Sequence, residues 1–343
     1  MALALIASPH FADHLTPPGH PERVERHEVM QAITAEFRQR GGEVLEPRRA
    51  TDAELTRIHD ADYVAMIRET AGRATALDPD TFTSPESYDV ASLAAGAVLT
   101  GVDHVLAGPA GTSALALVRP PGHHAEANRA MGFCLFNNVA VAAAYARARG
   151  LERVAIVDYD VHHGNGTQGS FYADPSVLFV SSHQFPYYPG TGAATEIGTG
   201  AGAGFTVNLP LAAGATDADY EAVYEAIAWP IVRAFKPQLL LVSAGFDAYK
   251  DDPLAGMRLE AEYFGRLTAR IAAIAGECCE GRVVLATEGG YHLKGIADSL
   301  RAVIGALEGH AAPGQALPPE TNATRGGATI AAVKPNLAKY WPL

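Results

Sequence analysis

Short continuous runs of Val, Leu, Ile and Ala recur along this 343-residue chain, separated by amphipathic or Ala-rich segments. The apolar runs lie at 2–8 (ALALIAS), 113–118 (SALALV), 153–160 (RVAIVDYD), 177–183 (VLFVSSH), 205–210 (FTVNLP), 238–245 (QLLLVSAG) and 282–290 (RVVLATEGG). Residues 22–41, 52–70 (with a break near His59), 87–108, 137–150, 217–235, 261–278 and 296–309 carry helical patterning. A strand apolar on both faces must be covered on both faces, and helices alternating with strands provide that cover. The pattern predicts a single-domain, three-layer α/β/α fold with a central, mostly parallel sheet. Pro21 suits a first helical turn, and Pro230 would kink the helix over 217–235. One domain is expected over 1–343, with its core over about 5–310 and an irregular tail over 311–343 that is rich in Pro, Ala and Gly.

Composition excludes several function classes. Acidic residues outnumber Lys and Arg by 38 to 26, so the chain lacks the basic footprint of a nucleic-acid binder. Cys134, Cys278 and Cys279 form neither a disulfide framework nor a CxxC site, and they read as reduced thiols of a cytoplasmic protein. The opening MALALIAS has no basic flank and is too short for a secretory leader, so it reads as a first strand. No apolar run approaches the roughly 18 residues of a membrane span.

Four strands run into dense polar clusters: RPPGHHAE (119–126), DYDVHHGNG (158–166), FDAYKDDP (246–253) and EGGYHL (288–293). Ligands of open α/β sheets bind outside the carboxyl ends of the strands, so the four clusters should converge. Singly, a His pair is ordinary in a loop and Gly-Gly-Tyr is commonly a turn; their joint occurrence at strand ends is what points to chemistry.

Residues two apart on an extended chain share a face, which groups Asp158, Asp160 and His162 and turns His163 elsewhere. Asp247, from another strand end, adds a further carboxylate. One His and two carboxylates make a three-ligand site with an open position, the pattern of a catalytic zinc, although iron and manganese suit such donors too. Parity does not say which two of Asp158, Asp160 and His162 would bind the ion. The tandem His123–His124 offers imidazoles for acid–base work, and Tyr291 offers a phenol to a reacting carbonyl.

These motifs, together with GFCLFNNVAVAA (132–143), YYPGTG (187–192), GHPERVERH (19–27) and DTFTSPESYDVA (80–91), resemble the histone deacetylase family within the arginase–deacetylase fold. The likeness covers roughly 5–310 and is nearest in flavour to class II deacetylases and their bacterial relatives, acetylpolyamine amidohydrolases included. It implies a zinc-dependent amidohydrolase that removes acetyl groups from lysine or related amines, with Asp160, His162 and Asp247 on one Zn2+ (or Fe2+). Asp158 would orient His123, an electrostatic partner. His124 would take a proton from the attacking water and return it to the leaving amine. Asn165, which stands where class I members carry Asp, would support His124. Tyr291 would polarise the acetyl carbonyl. Phe133 and Tyr188 would wall a narrow tunnel, Gly132 would offer a backbone carbonyl to the substrate amide, and His163 would be structural. Structural K+ is implied beside Asp158, Asp160, His162, Ser181 and Ser182, and at a second site near Phe171, Asp174, Val177 and Phe205.

Leu254 stands where the polyamine deacetylase of class II carries a Glu, and no insertion is visible between Asp80 and His123. Both features favour an acetylated lysine peptide or protein, or another acylamide, over a strict acetylpolyamine substrate. Glu126, Asp251 and Asp252 keep the cationic substrate open. A two-manganese ureohydrolase would need more bridging carboxylates, and an acyl-lysine-binding pseudoenzyme would be expected to lack Tyr291 or a zinc ligand. Neither a nucleic-acid nor a membrane partner is expected, and a homo-oligomer is left open.

Overall fold

The computed structural model describes residues 2–310 and 324–343. Its strands are β1 (Leu3–Ile6), β2 (Glu43–Leu45), β3 (Thr75–Ala76), β4 (Phe82–Thr83), β5 (Ser113–Ala116), β6 (Val154–Asp158), β7 (Val177–Gln184), β8 (Thr206–Leu211), β9 (Leu239–Ala244) and β10 (Val283–Thr287). Among the described residues one eight-stranded sheet runs in the order β2-β1-β5-β10-β9-β6-β7-β8, and every pairing in it is parallel. A two-residue antiparallel ladder joins β3 and β4.

Helices cover both faces. On one lie α1 (Glu25–Gln39), α7 (Asp217–Val223), α8 (Trp229–Phe235), α9 (Ala261–Cys278), α10 (Leu293–Leu307) and α11 (Thr324–Leu337); α4 (Ser87–Ala107) and α5 (Asn138–Ala148) lie on the other. The remaining short helices are α2 (Asp52–Leu55), α3 (Ala61–Arg68) and α6 (Asn165–Phe171). Alternation along a strand divides the core: Ala155 and Val157 of β6 pack with α9 and α10, whereas Val154 and Ile156 pack with α4 and α5. The three-layer expectation from the apolar runs therefore holds.

Several local expectations change. Helix α1 begins at Glu25, so Pro21 precedes it rather than opening it. The segment over 217–235 is interrupted by a π-helical turn, Tyr224–Ala228, directly before Pro230, which satisfies the break that proline imposes. The tail expected to be irregular contains α11, packed against α7 and β8; residues 311–323 lie outside the described residues. Helix α4 is long and apolar enough to cross a membrane by length and composition, but 72% of its apolar window is buried, consistent with a core helix whose Ala and Gly residues let it lie close on β5, β10 and β1.

A buried ion network ties the sheet edge to this shell. Glu22 accepts from Arg119 Nε (2.5 Å) and Nη2 (2.7 Å) and from Arg26 Nη1 (2.8 Å), and all three side chains are buried. Arg26 also donates to the carbonyls of Glu288 (2.5 Å) and Gly290 (2.7 Å), beside Tyr291.

Candidate active site

The four polar clusters follow β5, β10, β9 and β6, which are adjacent in the middle of the sheet, so they meet at one carboxyl edge. After Asp158 the chain leaves β6 and bends before α6 begins at Asn165. That bend separates the three residues that parity had grouped. Asp158 Oδ2 faces His123 Nδ1 at 3.0 Å. Asp160 Oδ1 and Asp247 Oδ2 face His162 Nδ1 at 3.2 and 3.1 Å. One donor atom from each of Asp160, His162 and Asp247 lies within 4.8 Å of the others, and all three residues are buried.

The backbone completes this cradle: Asp160 Oδ2 accepts from the Gly289 N–H (2.7 Å) and Asp247 Oδ1 from the Val161 N–H (2.8 Å). A Cβ on Gly289 would lie 2.1 Å from Asp247 Oδ2, so only glycine lets the loop after β10 come this close. Two buried carboxylates this close need positive compensation, and burial together with Asp160 raises the Asp247 pKa to about 7. Burial opposes charge on His162, but the Asp160 and Asp247 side chains outweigh it and raise its pKa well above the imidazole range. A divalent ion would meet the same demand, and the His-plus-carboxylate donors with one side facing a pocket fit zinc or iron.

His123 and His124 sit in different electrostatic settings although adjacent. Burial works against a charged His123, yet Asp160 and Asp158 prevail and raise its pKa to about 10. His124 Nδ1 meets Asn165 Oδ1 at 2.8 Å, and burial together with the His123 and His162 charges holds His124 well below the ordinary range. Glu288 fixes the loop that carries both, accepting from the Gly122 and His123 N–H groups at 2.6 and 3.2 Å.

A pocket of about 140 Å³ opens onto this centre, lined in part by His123, His124, His162, Gly132, Phe133, Tyr188, Leu254 and Tyr291. Phe133 has φ +69°, an unusual conformation for a side-chain-bearing residue that here accompanies its place in the pocket wall. Tyr291 packs edge-on to Phe133 (5.8 Å between centroids), and the Arg26 guanidinium lies 5.1 Å from its ring centre. The Tyr291 and His292 N–H groups donate to Asp252 Oδ2 (2.7 and 3.1 Å), while Asp252 Oδ1 accepts from the Leu254 N–H (3.0 Å). Asp252 is thus buried and turned inward, not an acid displayed at the mouth; Asp251 alone of that pair is exposed. Glu126 is also engaged, by Asn165 Nδ2 at 2.8 Å.

His163, expected to be structural, holds Thr191 Oγ1 (2.7 Å) and Gln168 Oε1 (3.0 Å), so it pins the loop that carries Tyr188. Ser181 is in register with Asp158 across β6–β7 and bonds His183 (3.0 Å), while Ser182 bonds Tyr224 (2.8 Å). Phe171, Asp174, Val177 and Phe205 gather separately, where α6 gives way to β7: Asp174 N–H meets the Phe171 carbonyl at 3.0 Å and the Phe205 carbonyl meets Phe179 N–H at 2.9 Å.

Sequence reasoning missed three residues at the site. Asp80 lines the pocket from the turn between β3 and β4. Tyr187 stacks on His162 (5.6 Å) and donates its hydroxyl to the Leu254 carbonyl (2.8 Å). Glu288, the acid of EGGYHL, holds the Gly122–His123 backbone. The doubled tyrosine and the acid before Gly-Gly were the only signals available.

A family model described as the histone deacetylase domain matches residues 20–307. A probable deacetylase from Archaeoglobus fulgidus is 39% identical over 86% of this chain and 83% of its own. The polyamine deacetylase HDAC10 of Homo sapiens is 42% identical over 84% of this chain, which spans 45% of that longer protein. The crystal structure of the HDA15 HD domain superimposes with a TM-score of 0.90 at 35% identity, covering 99% of this chain and 95% of that one.

Proposed function

The chain belongs to the histone deacetylase family, and on that premise we propose that it is a metal-dependent deacetylase hydrolysing the acetyl amide of acetyl-lysine or a related acylated amine. One observation carries this reading: His162 of the buried Asp160–His162–Asp247 cradle lines a narrow pocket together with His124 and Tyr291. A single divalent ion held by those three side chains, zinc in the first instance, would supply Lewis acidity to the attacking water and the acetyl oxygen.

The chain's own residues divide the remaining work. His124, whose charged form burial and the neighbouring His123 disfavour, takes a proton from the attacking water as oxygen bonds to the acetyl carbon. It returns that proton to the nitrogen as the C–N bond breaks, releasing acetate and a free amine. His123, paired through Nδ1 with the Asp158 carboxylate, adds positive potential without exchanging a proton. Burial holds the Tyr291 phenol far above its ordinary pKa, so it remains a hydrogen-bond donor to the developing oxyanion. Phe133 and Tyr188 enclose an unbranched methylene stem and limit entry of water, and Gly132 offers its carbonyl to the substrate N–H.

Dialysis against a strong chelator is expected to abolish hydrolysis of a fluorogenic acetyl-lysine substrate, and one equivalent of Zn2+ per chain should restore it. Full turnover after complete metal removal would overturn the reading.

Acetylated polyamines are the second reading, favoured by Asp80 at the pocket and by the likeness to a polyamine deacetylase. Leu254 weighs against it, since an apolar side chain cannot pair with an ammonium. Leu254→Glu should raise kcat/KM for acetylspermidine about tenfold relative to an acetyl-lysine peptide, the effect of one modest ion pair. An unchanged ratio would show that position 254 does not select the substrate. Monovalent sites beside Asp158 and Ser181 and beside Phe171 and Phe205, and a cytoplasmic location, remain part of this proposal, as does the extension of one domain across the whole chain.

A further inference from the structure

Asn165 stands between two groups that make opposite demands of it. Its Oδ1 lies 2.8 Å from His124 Nδ1, and its Nδ2 lies 2.8 Å from Glu126 Oε1. A carboxylate only accepts hydrogen bonds, so the NH2 end of the amide must face Glu126. The carbonyl end is thereby turned to His124, and Nδ1 must carry the proton to complete that bond. Nε2 is left with its lone pair free. Were the amide reversed, its NH2 would donate to Nδ1, the ring proton would move to Nε2, and the imidazole could no longer accept a proton there.

Glu126 is itself held in place through its backbone. Its carbonyl accepts from His59 Nδ1 (2.9 Å) and its N–H donates to the Arg129 carbonyl (2.9 Å). The side chain is half-buried and directed at Asn165, not displayed to solvent as the acid of an entrance would be.

We propose that Glu126 is a positioning residue that sets the tautomer of His124 through the Asn165 amide. This rests on the reading of His124 as the general base. What Glu126 contributes is an acceptor oxygen, not a charge, and that distinction makes the role testable.

The test uses the zinc-loaded full chain and compares E126A, E126Q, N165A, the E126A/N165A double variant and H124A. Substrates are a neutral acetyl-lysine peptide and acetylspermidine, and thermal melting of each variant checks folding. E126A should lower kcat roughly 10–100-fold on both substrates with little change in KM, a fraction of what a general base supplies. E126Q, which keeps an acceptor oxygen, should stay within about threefold of the parent chain. The double variant should be no slower than N165A alone, because both changes break the same link.

Equal losses in E126Q and E126A, seen as a higher KM for acetylspermidine alone, would overturn the proposal and make Glu126 a charge that attracts cations. Additive losses in the double variant would overturn it in favour of general structural support. Unchanged kcat in E126A with H124A inactive would overturn it while leaving the base assignment standing. Substantial turnover by H124A would overturn the base assignment and the proposal with it.

Discussion

Tyr291→Phe is expected to lower kcat for acetyl-lysine hydrolysis by about 10²–10³-fold, the range for losing one donor to a developing oxyanion. KM, metal content and thermal unfolding should change little. The separation is possible because the contacts that place this residue do not use its hydroxyl. Its backbone N–H is held by Asp252, its ring by Phe133 and the Arg26 guanidinium, and Phe keeps all three. The phenol sits where burial keeps it protonated at any working pH, so its loss removes a donor and leaves the local charge unaltered. Steady-state kinetics with metal analysis decides the point: kcat within about threefold of the parent chain would remove Tyr291 from the reaction.

The largest effect on stability is expected at Glu22. Glu22→Ala leaves the Arg26 and Arg119 guanidiniums buried without their carboxylate, and breaking a buried pair in this way typically costs about 3–5 kcal/mol. Urea unfolding should show a midpoint well below that of the parent chain. Burial alone would raise the Glu22 pKa, but Arg119, then Arg26, bring it from 4.5 to about 2. A carboxyl group depressed on folding contributes stability that is complete above its unfolded pKa and fades as the pH falls through its folded one. The parent chain should therefore lose this contribution between about pH 4.5 and 2, and Glu22→Ala should have a flatter stability profile across that interval. Parallel profiles would mean that the ion pair does not control acid stability.

Much of the fold was legible because the sheet strands are apolar on both faces and the candidate-site groups stand at their ends. The strand-end rule brought His123, Asp160, Asp247 and Tyr291 to one edge. The division between Asp158 and Asp160 was not legible from spacing, because the chain stops being extended at the point where parity was applied. Helix α6, NGTQGSF, has two glycines in seven residues, and α11 contains Pro335; tertiary packing sustains both against poor intrinsic propensity. Tyr187 could not be assigned locally, since its hydroxyl serves a carbonyl 67 residues away. The inward turn of Glu126 and Asp252 was equally hidden: an acid in a loop reads as a surface charge until its partners are known.

Asp252 bears on how selectivity in this chain could change. One carboxylate fixes both the backbone that aims the Tyr291 phenol and the backbone that presents Leu254 at the rim. Exchanging the side chain at 254 leaves that frame intact, so a new preference can arise at little cost in rate. Lengthening or shortening the turn between 252 and 254 would re-aim the phenol at the same time. Substrate range should therefore diversify here by point substitution, and insertions should be tolerated only where the chain has left this shared anchor.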